Sequence, residues 1–289
     1  WNAIGVAGRG EEEQAANEVK LQATDYARAK GAEVIALAIP CSGTIRLNME
    51  GGMVFDAFNG WAPLFQLPVP ERIEKLRDPA SRTELRDLAS TGDGMLQRFA
   101  RWDNLKVAEV FSEENRRYEG RMIRDIAQEE ARDPFDVFAD IAVADKLRTS
   151  FMPQFPEDTL EIAQTRVALI EDDRTVVDAS DAGAHLDSND TFAFTTGLLA
   201  SACRRFGAIG LERAVHHLTD KPARLIGLKQ RGQLKQGWHA DVVVFDAETV
   251  GPGTTHTRTD LPANGFRLYS EPTGVHHVDA EEVDQLVLD

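Results

Sequence analysis

The sequence predicts an α/β protein, and three features of its 289 residues indicate that class. Residues 11–30 have the apolar spacing of a helix, with Val19 and neighbouring Tyr26 on the predicted apolar face and a glycine following as the stop. Residues 32–40 form the continuous apolar run AEVIALAIP, which is typical of a strand buried on both faces of a parallel sheet. A second short apolar run, at 176–177, leads into small and polar residues. Helix, glycine turn and buried strand make one step of an α/β fold.

Composition and charge narrow the classes of function. The chain has 32 Lys and Arg against 48 Asp and Glu, a net charge of −16, so it would repel a phosphate backbone and we expect no nucleic-acid partner. No apolar run approaches the roughly 18 residues of a membrane helix, and we expect a cytoplasmic protein with no membrane partner. Two cysteines cannot by themselves hold a disulfide framework or a structural zinc. The chain begins at Trp1 without a leader sequence, and we interpret it as an internal or processed segment.

A long structured segment, rather than a simple loop, separates the two predicted strands. Aromatic residues are dense between positions 55 and 65 and predict a local hydrophobic core. The acidic charge disfavours the alternative, a platform on which bases stack. Other elements expected here are a helix over 70–90 interrupted at Pro79, a strand at 105–111, and two helices in 121–145 divided at Asp133-Pro134.

The remaining elements follow the second strand. Helical spacing predicts helices at 191–206, 211–218 and 221–228. Residues 232–248 are expected to form two short strands around a turn at Gly237, the second of which ends in the apolar run Val242–Phe245.

Polar residues that follow the second strand are the first candidates for chemistry. Asp181 lies in the segment SDAGAH, at the edge of a parallel sheet where α/β proteins bind ligands, and the small residues beside it leave room for one. A carboxylate there can ligate a metal or transfer a proton to a leaving group. The alternative is an aspartate that caps a helix. His185 follows shortly after, as a candidate that contacts substrate or orients Asp181.

A second group of candidates follows the first strand. Cys41 and Ser42 come directly after it, but no base lies near them in the sequence, so a small buried thiol is the alternative for Cys41. Ser42 is a candidate substrate contact. Arg46 could bind a substrate carboxylate, and the alternative is a surface arginine. The glycine-rich stretch GVAGRG lacks the spacing of a dinucleotide-binding or phosphate-binding loop.

Several stretches together carry a resemblance to a known family. They are YEGRMIRDIAQEEARDPFDVFADI at 118–141, DASDAGAHLD at 178–187, KPARLIGLKQRGQLKQGWHADVVVFDAETV at 221–250 and LPANGFRLYSEPTGVHHV at 261–278. The sequence resembles the metal-dependent amidohydrolases, and among them the N-acyl-D-amino-acid deacylase (D-aminoacylase) family. The resemblance extends over most of the chain.

The resemblance implies a (β/α)8 TIM barrel with a small β-sandwich beside it, and this chain would hold a partial barrel made of the last strands. WNAIGV would end the sixth strand, AEVIALAIP would be the seventh and TVVDASDAG the eighth. The implied domains are the region of barrel strands 6–7 at 1–40, a lid insertion with helices at 41–173, the last barrel strand with helices at 174–228, and a β-sandwich remnant with a tail at 229–289.

It also implies the chemistry. In the family, a zinc-bound hydroxide attacks the amide carbonyl of an N-acyl amino acid, and Asp181 falls on the last-strand aspartate that contacts the metal site and moves the proton to the leaving nitrogen. The resemblance thus implies a small-molecule amide substrate, zinc as the cofactor, and Asp181 as both catalytic residue and metal ligand. His185, Ser42 and Arg46 are the candidate substrate contacts.

Parts of the family pattern are absent. The H-x-H motif, the metal-ligating cysteine and the histidines of the middle strands would lie before Trp1, and Ile39 and Cys41 stand where the family has tyrosines. Zinc needs about three or four protein ligands, of which Asp181 supplies one. We therefore expect a hydrolase that is incomplete as this segment, with the missing N-terminal portion or a second copy of the chain as partner. The alternatives are an inactive half-protein that needs a partner chain, and a metal-free α/β ligand-binding module.

Overall fold

The computed structural model describes residues 1–6, 10–91, 96, 99–178, 180 and 184–280, so Asp181 and the acidic end of the chain lie outside the described residues. The α-helices are α1 (Gly10–Ala29), α2 (Ala62–Phe65), α3 (Val69–Arg77), α4 (Pro79–Ser90), α5 (Ile123–Glu130), α6 (Pro134–Ala144), α7 (Leu160–Glu171), α8 (Phe194–Leu198), α9 (Leu211–Leu218) and α10 (Asp220–Leu225). The strands are β1 (Asn2–Ile4), β2 (Ala36–Ala38), β3 (Leu105–Glu109), β4 (Ser150–Pro153), β5 (Thr175–Val177), β6 (Val242–Phe245), β7 (Gly251–Pro252), β8 (His256–Leu261), β9 (Gly265–Tyr269), β10 (Pro272–Thr273) and β11 (Val275–Asp279). A π-helical turn, Leu199–Arg205, continues α8.

A parallel sheet with the strand order β1-β2-β5 joins the two predicted strands. Ala36 pairs with Thr175 and Ala38 with Val177, so the carboxyl ends of β2 and β5 lie at the same edge. Helix α1 connects β1 to β2, and α7, which leads into β5, packs against α1. The α/β class is confirmed, and over the ranges that the structure describes the strands form no closed barrel.

The buried face of α1 differs from the predicted one. Asn17, Leu21 and Thr24 are buried, whereas Val19 and Tyr26 are 65% and 69% exposed. Positions 17, 21 and 24 also have helical spacing, so two stripes on this helix could each have been buried. Packing against α7 selects the stripe that the sequence analysis did not choose.

The long structured segment between the strands has a hydrophobic core of its own. Its buried residues run from Leu47 to Phe151, and Phe55 and Trp61 are fully buried within it. The rings of Trp61 and Trp102 stack with their centroids 5.6 Å apart. This confirms the local core that the aromatic residues predict. Strands β3 and β4 form an antiparallel pair at its edge.

Two helix boundaries follow from local capping chemistry. The carboxylate of Asp78 accepts a hydrogen bond from the Ser81 amide at 2.8 Å, and Pro79 begins α4. The carboxylate of Asp133 accepts one from the Phe135 amide at 2.8 Å, and Pro134 begins α6. Both predicted divisions are confirmed, because an aspartate cap followed by proline sets the start of a helix without help from distant residues.

The C-terminal part consists of antiparallel strand pairs, β6 with β11, β7 with β10 and β8 with β9. The prediction of two strands around Gly237 is wrong in its first half, because only β6 forms in 232–248. Gly232 and Gly237 both have φ of +83°, a left-handed conformation that does not continue a strand. A Cβ atom on Gly232 would also lie 2.9 Å from the Asp220 Cα atom, so this turn packs tightly against α10. Among the described helices, none has both the length and the apolar character needed to cross a membrane.

Candidate functional site

A cavity of about 310 Å³ opens at the carboxyl edge of the parallel sheet. Segments 39–46, after β2, and 190–197, beyond β5, form two of its walls, and Met152 of β4 and segment 252–255 complete the lining. This is the edge at which α/β folds place their ligand sites, because loops from neighbouring parallel strands converge there. The lining is mixed, with the apolar side chains of Ile39, Met152 and Phe194 and the charged side chains of Arg46 and Asp190.

Ser42 is exposed and bonds to a nearly buried ion pair. Arg166 and Asp158 form a two-pronged ion pair with N···O distances of 2.5 and 3.0 Å, and their side chains are 8% and 12% exposed. The Ser42 hydroxyl donates to the Asp158 carboxylate at 2.9 Å and accepts from Arg166 at 2.9 Å. Its proton therefore goes to Asp158, and the second lone pair of Oγ can accept one further hydrogen bond.

Arg46 is buried, so the alternative of a surface arginine is wrong. Its Nη1 donates to the Glu109 carboxylate at 3.1 Å, and its Nη2 donates to the Thr255 carbonyl at 2.5 Å. Glu109 also accepts from the Thr257 amide at 3.0 Å and from the Thr257 hydroxyl at 2.7 Å. Burial lowers the pKa of Arg46, and the neighbouring Glu109 opposes that shift. Both terminal nitrogens of Arg46 are thus held by the protein.

Asp190 ties the two loops of the cavity together. Its carboxylate accepts from the Thr44 amide at 2.5 Å and from the Thr255 hydroxyl at 2.9 Å. A Cβ atom on Gly43 would lie 2.7 Å from the Thr191 side chain, so the loops approach closely only because residue 43 is glycine. Thr191 in turn donates to the carbonyl of Ser180, the residue directly before Asp181 in the sequence, at 2.8 Å.

Cys41 is not an activated nucleophile. Burial raises the pKa of its thiol to about 12, so the thiol is protonated at neutral pH. A Cβ atom on Gly197 would lie 2.6 Å from the Cys41 sulfur, which shows how closely α8 packs on it. Cys41 is half-buried in the cavity lining, which comes closer to the alternative of a small packed thiol than to a nucleophile.

The predicted site residues are distributed as follows. Ser42 and Arg46 line the cavity. His185 does not line the cavity, and it is exposed. It lies in a turn, with φ of +50°, and its backbone carbonyl accepts hydrogen bonds from the amides of Ser188 and Asn189. Asp181 lies outside the described residues, so its role stays a prediction.

Sequence reasoning missed the charged partners of the cavity, which are Glu109, Asp158, Arg166 and Asp190. Each of them meets a residue that is distant along the chain, and none lies in a recognisable motif. Only the fold brings them to the edge of the sheet.

Zinc is the predicted cofactor, and the donors available can be tested for it. Where the structure describes the chain, no group of three or more His, Cys, Asp or Glu side chains is placed to hold a metal ion. Among the residues that line the cavity, the side chains of a kind that zinc binds are Cys41 and Asp190, and both carboxylate oxygens of Asp190 already accept from protein donors. The described donors therefore do not fit zinc, which needs three or more ligands.

An α/β chain with a mixed cavity at the carboxyl edge of its parallel sheet belongs to the class of proteins that bind or transform small molecules at that edge. The sequence profile described as "Amidohydrolase family" matches residues 69–264, which is more than half of the chain. The chain belongs to the amidohydrolase family.

Curated relatives give the same assignment. The chain is similar to the N-acyl-D-glutamate deacylase of Alcaligenes xylosoxydans xylosoxydans, with 43% identity over 71 residues, 25% of this chain and 14% of that protein. It is also similar to the D-aminoacylase of that organism, with 39% identity over 69 residues, 24% of this chain and 14% of that protein. The resemblance to D-aminoacylase-like amidohydrolases is confirmed.

Two solved structures align with most of the chain. One is an N-acyl-D-glutamate deacylase from Bordetella bronchiseptica complexed with zinc and a phosphonate inhibitor, with a TM-score of 0.44 and 20% identity over 91% of this chain and 42% of that chain. The other is a D-aminoacylase, with a TM-score of 0.41 and 19% identity over 94% of this chain and 43% of that chain. The chain spans less than half the length of these relatives.

Proposed function

We propose that this chain is part of an enzyme that hydrolyses the amide C–N bond of N-acyl-D-amino acids. The observation that carries the proposal is the amidohydrolase match over 69–264, because that range contains the charged partners of the cavity. The names of the curated relatives, which are deacylases of N-acyl-D-amino acids, support the substrate class. The partial barrel, the four predicted domains and a cytoplasmic location belong to the same proposal.

The roles of the residues follow from their hydrogen bonds. The Ser42 hydroxyl, whose proton goes to Asp158, would accept a hydrogen bond from the amide N–H of the substrate. Arg46 would shape the cavity wall together with Glu109. Asp181 is our candidate for the group that delivers the proton to the leaving nitrogen, and His185 for a group that orients it.

Zinc remains part of the proposal as the divalent metal, with Asp181 as one ligand. The described residues do not supply the others. The missing N-terminal portion, or a second copy of the chain, is the proposed source of those ligands.

The test is an assay of amine release. The purified chain is supplied with zinc and assayed alone and together with the proposed N-terminal portion, with N-acetyl-D-methionine as substrate, and the free amino acid is measured with a fluorogenic amine reagent. We expect release by the wild type when the source of the remaining zinc ligands is present, and none by Asp181→Asn under the same conditions, with unchanged circular dichroism. Asp173→Asn is the matched control, because Asp173 is 82% exposed and pairs with Arg28 on the surface. Full activity of Asp181→Asn would show that the site assignment is wrong.

A metal-free ligand-binding module is the second candidate, favoured by the lack of a three-ligand set in the described cavity. Thermal-shift measurements with N-acyl amino acids, in the presence of a chelator, separate the two. Stabilisation that persists in chelator, together with no amine release, favours the module. Stoichiometric zinc in the isolated chain would instead contradict both the module and the half-protein that depends on a partner chain.

A further inference from the structure

Two charged residues, Arg46 and Asp190, line the cavity. Arg46 pairs with Glu109, and Asp190 is held by the neutral donors Thr44 and Thr255. The ion pair of Arg166 with Asp158 does not line the cavity but bonds to Ser42, which does. Together these five residues carry two positive and three negative charges.

A ligand carboxylate would therefore find no free cation among these groups. The usual two-pronged capture of a carboxylate needs the terminal nitrogens of an arginine, and those of Arg46 donate to Glu109 and to the Thr255 carbonyl. The remaining nitrogen of Arg46, Nε, is buried and out of reach of a ligand. To displace Glu109, a ligand would have to separate that half-buried carboxylate from its ion-pair partner and leave it with the Thr257 donors alone, which is unfavourable.

The apolar part of the lining suits an uncharged group. Ile39, Met152 and Phe194 present apolar surface to the same space. The volume of about 310 Å³ is large enough for the side chain of any common amino acid.

We propose that the cavity receives the amino-acid side chain of the substrate, prefers uncharged side chains and rejects acidic ones, with Glu109 as the residue that sets this preference by occupying Arg46. The proposal rests on the proposed hydrolysis of N-acyl amino acids. The α-carboxylate, which all such substrates share, does not enter the comparison.

The test compares three ligands that share every group except the side chain: the N-acetyl derivatives of D-methionine, D-glutamine and D-glutamate. Binding is measured by calorimetry and hydrolysis as kcat/KM. For the wild type we expect the glutamine derivative to exceed the glutamate derivative by on the order of ten-fold or more, since the two differ only in charge and the nearest excess charge is negative. Equal values for the two would overturn the proposal.

Glu109→Gln keeps the shape of the side chain and removes the negative charge that neutralises Arg46, so we expect the ratio of glutamine to glutamate derivative to fall by on the order of ten-fold. Asp190→Asn is a second variant that removes a negative charge from the cavity lining. If Glu109→Gln does not fold, the ratio measured for Asp190→Asn tests the proposal in its place. Glu113→Gln is the control, because Glu113 is an exposed carboxylate paired with Arg116, and its ratio should equal that of the wild type. An unchanged ratio in the folded charge variants would overturn the proposal.

The two proposals fail in different ways. If no derivative is hydrolysed but calorimetry gives the expected order, the proposed function fails and the preference of the cavity stands. If all three are hydrolysed at equal kcat/KM, the function stands and the preference fails.

Discussion

Replacing Asp158 by alanine removes one partner of the buried pair beside Ser42. The Arg166 guanidinium, which is almost fully buried, would lose both of its charged hydrogen bonds, of 2.5 and 3.0 Å. The Ser42 hydroxyl would lose its acceptor at the same time. No other carboxylate is bonded to Arg166 in the described part of the chain, so the charge would be left without compensation in a region of low dielectric.

The expected loss can be worked from these contacts. Breaking a buried ion pair by removing one partner costs about 3–5 kcal/mol. Two hydrogen bonds to charged groups, at about 1.5–3 kcal/mol each, give about 3–6 kcal/mol, which overlaps that range. We therefore expect Asp158→Ala to lower the free energy of unfolding by about 3–5 kcal/mol. The double variant Asp158→Leu with Arg166→Met should recover most of that loss, because apolar replacement of a whole buried pair is often neutral.

Urea unfolding followed by tryptophan fluorescence measures the effect as a change in midpoint at constant m-value. The matched control is Glu74→Ala, which breaks a pair of similar length, 2.7 Å, between side chains that are 71% and 59% exposed. An exposed pair of this kind contributes about 0–1 kcal/mol. If Asp158→Ala destabilises the protein no more than Glu74→Ala does, the reasoning about the buried pair is refuted.

Three further predictions test other parts of the structure. Arg72 is buried and donates to four backbone carbonyls. Arg72→Lys should lower the free energy of unfolding by about 2–4 kcal/mol, because an ammonium group cannot reach all four carbonyls. A negligible change in the urea midpoint would contradict this prediction. A hydrogen bond from Arg213 lowers the pKa of Glu171 from its usual 4.5 to about 2, so the stability from this carboxylate is complete above pH 4.5 and is lost as the pH falls toward 2. Glu171→Gln should flatten that part of the curve of stability against pH, and a curve as steep as that of the wild type would refute the assignment. Because burial raises the pKa of Cys41 to about 12, iodoacetamide at a pH of about 8 should alkylate it far more slowly than free cysteine, whose pKa is about 8.5, and mass spectrometry of the labelled peptide checks this.

Local chemistry explains which elements could be predicted from the sequence. The starts of α4 and α6 follow from an aspartate and a proline that act within one turn, and the structure has both where they were expected. The buried face of α1 could not be chosen, because two stripes have helical spacing and the choice depends on α7. The strand expected before Gly237 is absent because left-handed glycines interrupt it, and apolar patterning does not report φ.

The residues of the cavity also fall into those that could be predicted from the sequence and those that could not. Ser42 and Arg46 could be singled out because they follow a strand whose end predicts a ligand site, and both line the cavity. Their partners could not, since Asp158 and Glu109 reach them only through the packing of segments that are distant in the sequence. The sequence analysis therefore identified one wall of the cavity and missed the charges that neutralise it.

Our central claim is that an N-acyl amino acid binds in the cavity after β2. A crystal structure of the chain soaked with N-acetyl-D-methionine tests directly whether the ligand lies there. We expect the side chain of the ligand between Met152 and Phe194, with the amide nitrogen within hydrogen-bond distance of Ser42 Oγ. A fully occupied ligand elsewhere on the protein, with only water in this cavity, would contradict it.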